Sequence, residues 1–189
     1  MFRSLLITLL FFTAGMVQAQ QELTFNSSTK FFVDGTSTLH DWTIESNKIT
    51  GKLVADEASG AIKSVTLSLP VESLESGKSG MDSRVYGAFD SKKNPTISFQ
   101  STNVTMAADG KSGVAKGKLT MAGATRDIDV PFTVDSTSGD WKFVGAVDML
   151  MTTFDMKPPT AMMGTVRAGD AVKVRFEVVT KKPAVALAQ

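Results

Sequence analysis

Val172-Lys173-Val174-Arg175-Phe176-Glu177-Val178 is the stretch that decides the fold. Its apolar residues all occupy even positions and its charged residues odd ones. Side chains of a β-strand point alternately to the two faces of a sheet, so Val172, Val174, Phe176 and Val178 share one face and Lys173, Arg175 and Glu177 the other. A strand with one dry and one wet face belongs in an antiparallel sheet that covers a core on one side. The same alternation holds at Val65, Leu67, Leu69 and Val71, interleaved with Ser64, Thr66 and Ser68. It returns at Ile128, Val130, Phe132 and Val134, interleaved with Asp127, Asp129 and Thr133.

Weaker strand patterns cover residues 23–25, 29–34, 39–46, 48–55, 96–106, 113–121 and 140–151. Between Ile97-Phe99 and Val104-Met106 the apolar phase moves from odd to even positions, which a β-bulge would explain. Turn signals separate the runs at Asp34-Gly35, Ser59-Gly60, Asp109-Gly110, Ser138-Gly139 and Gly169-Asp170. Asp-Gly between alternating apolar residues is a hairpin signal. Short strands at regular spacing with short turns predict an all-β sandwich or barrel. No internal repeat of fixed period is present.

Two segments depart from the strand pattern. Ser79-Gly80-Met81-Asp82 reads as a capping box with Ser79 as N-cap. Met81, Val85 and Phe89 then recur every four residues, which predicts a short helix that must dock this face on the sheet, across or beside one opening. Lys92-Lys93-Asn94-Pro95 ends it. Residues 152–170 contain Pro158-Pro159, Gly164 and Gly169 and read as a long ordered loop, a class of loop that is often functional. Its Phe154, Met156, Met162 and Met163 would be costly to leave in water.

The N-terminus has the three-part layout of a secretory signal peptide: Arg3, an apolar stretch over residues 5–12, and small or modest residues at Val17-Gln18-Ala19. Its apolar core is shorter than the roughly 20 residues of a spanning helix. The expected organisation is a signal peptide over 1–19, one barrel domain over 20–181 and a flexible tail over 182–189. The mature chain would then be periplasmic or secreted. No cysteine follows the apolar stretch to carry a lipid anchor, and no later stretch is long and apolar enough to span a membrane.

The chain has 20 Lys+Arg and 19 Asp+Glu. Removing residues 1–19 takes away Arg3 and no acid, so the mature charge is balanced. That argues against nucleic acid as a partner, which needs a basic excess, and gives no polybasic membrane signal. The roughly 170 remaining residues suit one domain and can bury about 70% of the unfolded surface. There are no cysteines, which excludes thiol nucleophiles, thiolate metal sites and disulfides together.

Side chains suited to catalysis are scarce. His40 is the single histidine, with Ser37 and Asp41 close in sequence. A triad needs the imidazole to bridge nucleophile and acid in space, whereas adjacent strand residues point to opposite faces. No G-x-S-x-G elbow occurs. The chain is therefore not read as an enzyme, and His40 is expected to make a structural hydrogen bond or line the barrel mouth. Met149, Met151, Met156, Met162 and Met163 cluster in sequence. Thioethers can hold copper(I), but methionine also fills irregular core space and lines adaptable binding surfaces. No metal and no cofactor is expected. Trp42 and Trp141 fall at strand starts or edges, where an indole can be half wet.

Four stretches carry a family resemblance. They are Gly35-Thr36-Ser37-Thr38-Leu39-His40-Asp41-Trp42; YGAFDSKKNPTISF from Tyr86 to Phe99; Gly117-Lys118-Leu119-Thr120-Met121-Ala122-Gly123-Ala124-Thr125-Arg126; and Thr153-Phe154-Asp155-Met156. In this order they resemble the YceI-like family, exported lipocalin-like barrels associated with polyisoprenoid and other amphiphilic lipids. The resemblance spans nearly the whole mature chain. The His-Asp-Trp ending and the altered Phe-Asp-Met segment mark a divergent branch. The resemblance implies an eight-stranded antiparallel barrel with one short helix and an internal apolar pocket. A barrel of eight strands is either just filled by side chains or holds one small ligand. Gly51, Gly117 and Gly145 fit room inside and sharp strand coiling equally.

The function expected is that of an exported binding protein holding a long-chain apolar or amphiphilic lipid, isoprenoid-like or fatty-acyl. The alternative is a structural or protein-interaction barrel with a filled core and no ligand. Strand alternation nominates Leu67, Phe99, Leu119, Phe132, Phe143, Met149 and Met151 as lining residues. The loop adds Phe154, Met162 and Met163 near the mouth. A one-residue register error would turn a whole strand's set outward. The sequence leaves a homodimer open.

Overall fold

The computed structural model describes residues 19–57, 59–137 and 139–181; the rest of the expected signal segment and tail lies outside the described residues. The chain runs β1 (Gln20–Thr24), β2 (Lys30–Ser37), β3 (Trp42–Ser46), β4 (Thr50–Asp56), β5 (Ile62–Pro70), α1 (Ser79–Phe89), β6 (Thr96–Met106), β7 (Ser112–Met121), β8 (Ala124–Asp135), β9 (Asp140–Leu150), β10 (Thr160–Ala161) and β11 (Val166–Lys181). All pairings are antiparallel. The hydrogen-bonded path is β1-β4-β5-β6-β7-β8-β9-β11-β2-β3, with β10 on the start of β11.

The path curls until its ends meet. β1 leads into β2 through a turn in which Asn26 N donates to Val179 O at 2.8 Å and Phe25 bridges Thr180, so the end of β1 also lies against β11. β1 pairs with β4, and β2 pairs with β3. Eight strands were expected and eleven are found. The first two staves are each broken at a corner, giving β1/β2 and β3/β4, and β10 is an addition from the loop. β11 begins at Val166, so the loop expected over 152–170 is shorter than read. It also holds 3-10 turns at Met151–Phe154 and Met162–Gly164.

The phase change in β6 is a bulge. Ser101 pairs with Gly117 and Asn103 with Lys116, leaving Thr102 extra. Buried Ser101 secures it: its hydroxyl donates to Lys116 O at 2.7 Å and accepts from Asn103 N.

Register sorts the connections into two ends. Gly35 opposite Trp42, Pro70 opposite Thr96, Met121 opposite Ala124 and Ala168 opposite Ser37 put the β2–β3 tip, α1, the β7–β8 turn and the β9–β11 loop at one end. The helix begins at Ser79 as expected, but its cap differs. Lys78 is the N-cap and Ser79 caps nothing with its side chain. Asp82 Oδ1 instead accepts from the backbone N–H and hydroxyl of Ser76, at 2.8 and 2.6 Å. Tyr86 ties the helix down by donating to Leu74 O at 3.0 Å.

On the outer face the polar half of the alternation becomes cross-strand ion pairs. Lys116 meets Asp129, Lys118 meets Asp127 and Lys142 meets Glu177, at 3.1, 2.9 and 2.7 Å. Each is exposed and contributes at most about 1 kcal/mol.

A hollow apolar barrel as the candidate ligand site

The inward side chains of β2, β5, β8, β9 and β11 do not meet at the axis. They surround a cavity of about 650 Å³, within the 300–1,000 Å³ range of small-molecule sites. Solvent exposure records the hollow directly. Phe31, Val33, Val65, Leu67, Ile128 and Val130 line the cavity yet are half-exposed, because their inward faces border empty space. Toward the ends, inward residues such as Leu69, Ile97 and Val178 are buried. The filled core of the alternative reading is not the arrangement found.

The expected alternation holds in register. Leu67, Phe99, Leu119, Phe132, Phe143, Met149 and Met151 line the cavity, as does Met162 from the loop. Two expected residues do not. Phe154 is 1% exposed and packs into the wall away from the cavity; Met163 is fully exposed to solvent. Phe154 is held by a neighbouring clamp: Arg126 on β8 donates to Thr153 O and to Asp155 Oδ2, both at 2.9 Å. Two of the sequence stretches that carry the family resemblance thus meet in space. Met162 and Met163 both have left-handed backbone, φ 50 and 55, and both are exposed, although Met162 also borders the cavity.

Sequence reasoning missed other lining residues. Val147, Val174 and Phe176 share the phase of Met149 and Val172, and their alternation alone could have nominated them. Lys78 and Arg84 carried no such signal, since only the docking of α1 brings them to the rim.

The two ends of the cavity differ in chemistry. At one end Phe132 and Phe143 meet edge-to-face with ring centroids 5.7 Å apart, and Trp141 meets Phe143 in the same manner at 5.8 Å. At the other end stand all the charged and polar lining residues: Ser37 and His40 on the β2–β3 tip, Lys78 and Arg84 on α1, and Thr160 on β10. This is the mouth. The tip and loop are tied together, with Thr38 N donating to Arg167 O at 3.0 Å and Thr38 Oγ1 to Thr165 O at 3.2 Å.

His40 lies at this mouth, and no triad forms around it. Ser37 Oγ donates to His40 O at 2.7 Å and accepts from the backbone N–H groups of Leu39 and His40, which staples the turn. His40 Nδ1 lies 2.7 Å from Asp41 O, as its donor. Trp42, beside it on the wall, donates from its indole to Thr36 O at 2.9 Å. Among the described residues no cluster of His, Cys, Asp or Glu could hold a metal ion, and no helix is long and apolar enough to cross a membrane.

No curated protein matches the chain. Solved structures do. Burkholderia cenocepacia BcnA superposes with a TM-score of 0.68 at 23% identity, over 80% of this chain and 96% of that one. A polyisoprenoid binding domain from Saccharophagus degradans, implicated in plant cell wall breakdown, gives 0.66 at 11% identity, over 86% and 98%. The Campylobacter jejuni YCEI protein gives 0.60 at 19% identity, over 71% and 82%. These likenesses establish a common fold. The YceI-like domain model matches residues 16–180 in sequence, nearly the whole barrel, and the chain belongs to the YceI-like family.

Proposed function

We propose that this protein is an exported binding protein that holds one long-chain apolar or amphiphilic lipid, isoprenoid-like in character, inside the barrel. The observation that carries this reading is the hollow: half-exposed aliphatic and aromatic side chains pointing into one cavity of about 650 Å³. Water there finds almost no polar partner away from the mouth, whereas each CH₂ group moved in from solvent contributes about 0.8 kcal/mol. A chain of ten or more carbons therefore binds without specific polar contacts, after the cost of immobilising it is met. The polyisoprenoid binding of the Saccharophagus relative supports an isoprenoid-like guest here. The proposed role of the cavity is binding.

Export is part of the proposal. β1 begins at Gln20, the residue that cleavage after Ala19 would make the N-terminus. Native mass spectrometry of the exported protein tests both halves together. A chain starting at Gln20, carrying a mass that is lost on solvent extraction and identified as a lipid, is the expected result. A chain that still begins at Met1 rejects the export half. Lipid-free protein that also fails to take up added long-chain lipid rejects the binding half.

A further inference from the structure

We infer that the bound amphiphile carries an anionic headgroup, held at the mouth by Lys78 and Arg84. This rests on the cavity being a lipid site and adds the charge of the guest. Among the described residues, Lys78 and Arg84 are the charged lining residues, and no Asp or Glu lines the cavity. Among the described residues, Lys52, Lys93, Lys116, Lys118, Arg126, Lys142, Lys173, Arg175 and Lys181 each pair with a carboxylate, while Lys30, Lys48, Lys63, Lys92, Lys111, Lys157 and Arg167 form no ion pair but do not line the cavity. The two cations at the mouth have no such partner. The nearest acid on their own helix, Asp82, is turned to the backbone and hydroxyl of Ser76.

The local geometry keeps the two charges at the opening. Lys78 is the N-cap of α1. Arg84 lies two turns on, and its guanidinium folds back to donate to Gly80 O in the first turn. Gly80 itself lines the cavity, so the N-terminal turn of α1, with its partial positive charge, faces the same opening. An acyl or isoprenyl chain directed inward places its head among these groups. A carboxylate or a phosphate ester gains from both cations; a neutral head gains little, and a cationic head is repelled.

Displacement of the neutral probe N-phenyl-1-naphthylamine by four sixteen-carbon ligands reads this out: palmitate, hexadecyl phosphate, hexadecanol and hexadecylamine. The two anions should bind about three- to tenfold more tightly than the alcohol, as expected for exposed charge pairs, and the amine more weakly than the alcohol. High salt should shrink the advantage, because it screens exposed charges. In the double variant Lys78→Gln/Arg84→Gln, with folding checked by its thermal melt, the anion-to-alcohol affinity ratio should fall to about one. The tighter of the two anions identifies the head as phosphate or carboxylate. Equal binding of anion and alcohol by the native protein, or an anion preference that survives the double variant, overturns the inference while leaving the lipid site intact. Failure of all four to displace the probe sinks the lipid reading and this inference together.

Discussion

Phe176 on β11 covers Gly145 on β9 so closely that a Cβ built on Gly145 would stand 2.4 Å from Phe176 Cζ and 2.4 Å from the carbonyl oxygen of Pro131. The two residues are direct partners in the ladder. A ring covers a glycine in the same way at Gly117 beneath Phe99, Gly51 beneath Phe25 and Gly35 beneath Trp42. The bare glycine lets each ring lie against the wall, where it would otherwise project into the lumen. It also lets the neighbouring strand's backbone come in close as the sheet curls. Room inside and sharp coiling are therefore met by the same glycines.

Gly145→Ala should accordingly be destabilising. The methyl group must displace either an aromatic ring or the β8 backbone, and overpacking of this kind costs about 1–3 kcal/mol. Urea denaturation measures it. Lipid affinity should fall as well, because Phe176 is pushed toward the cavity it lines. An alanine variant as stable as the parent would contradict the account of the wall.

The β7–β8 turn offers a gain of stability. Ala122 and Gly123 both have left-handed backbone, φ 50 and 82, which is the geometry of a two-residue type I′ hairpin turn. Glycine takes that conformation freely, whereas alanine pays roughly 1 kcal/mol. Asn-Gly is the preferred pair for this turn. Ala122→Asn should raise the melting temperature by about 2–4 °C. Lipid binding should be unaffected, since Ala122 does not line the cavity.

Acid sensitivity should run through Asp34. The side-chain hydrogen bonds from Arg175 hold its carboxyl below the usual range, and Thr43 adds another. Arg175 is fixed in turn over the ring of Phe32, 4.7 Å from its centroid. A depressed folded-state value means the carboxylate contributes stability above its unfolded pKa of about 3.9. That contribution is lost as pH falls through the lower folded value. Asp34→Asn should thus cost up to about 1 kcal/mol at pH 7 and less near pH 2. Melting curves of both proteins at the two pH values test this, and an equal difference at both would refute it.

How much of this was legible in the sequence depends on periodicity. β5, β8 and β11 show an unbroken two-residue alternation, and each turned the expected face inward. The bulge at Thr102 announced itself as a change of phase. The corners that split the first two staves did not, because short apolar runs on either side of residues 25–29 and 47–49 give no hint that they share one barrel edge. The loop was legible in part. With no period to sort them, Phe154 and Met163 looked equivalent to Met162, yet Phe154 is locked in the wall beside the Arg126–Asp155 pair and Met163 is fully exposed to solvent. The cationic mouth was out of reach, because the position of Lys78 and Arg84 follows from tertiary docking of α1.

The hollow itself can be probed by filling it. Phe143 and Met151 line the cavity but are almost fully buried, so tryptophan at either would strain the wall whether or not the centre is empty. Val147 and Met149 are the better positions. Both are half-exposed, both face the cavity, Val147 from within β9 and Met149 from near its C-terminal end, and neither belongs to an aromatic ring pair. Val147→Trp or Met149→Trp should fit into the empty space, burying added apolar surface while leaving the thermal melt unchanged or slightly raised. Long-chain lipid binding should drop by at least tenfold, because the indole occupies volume the chain needs. Loss of about 1–3 kcal/mol of stability at both positions would mean that the centre is already packed. Undiminished lipid binding by stable tryptophan variants would mean that the guest sits somewhere other than the barrel.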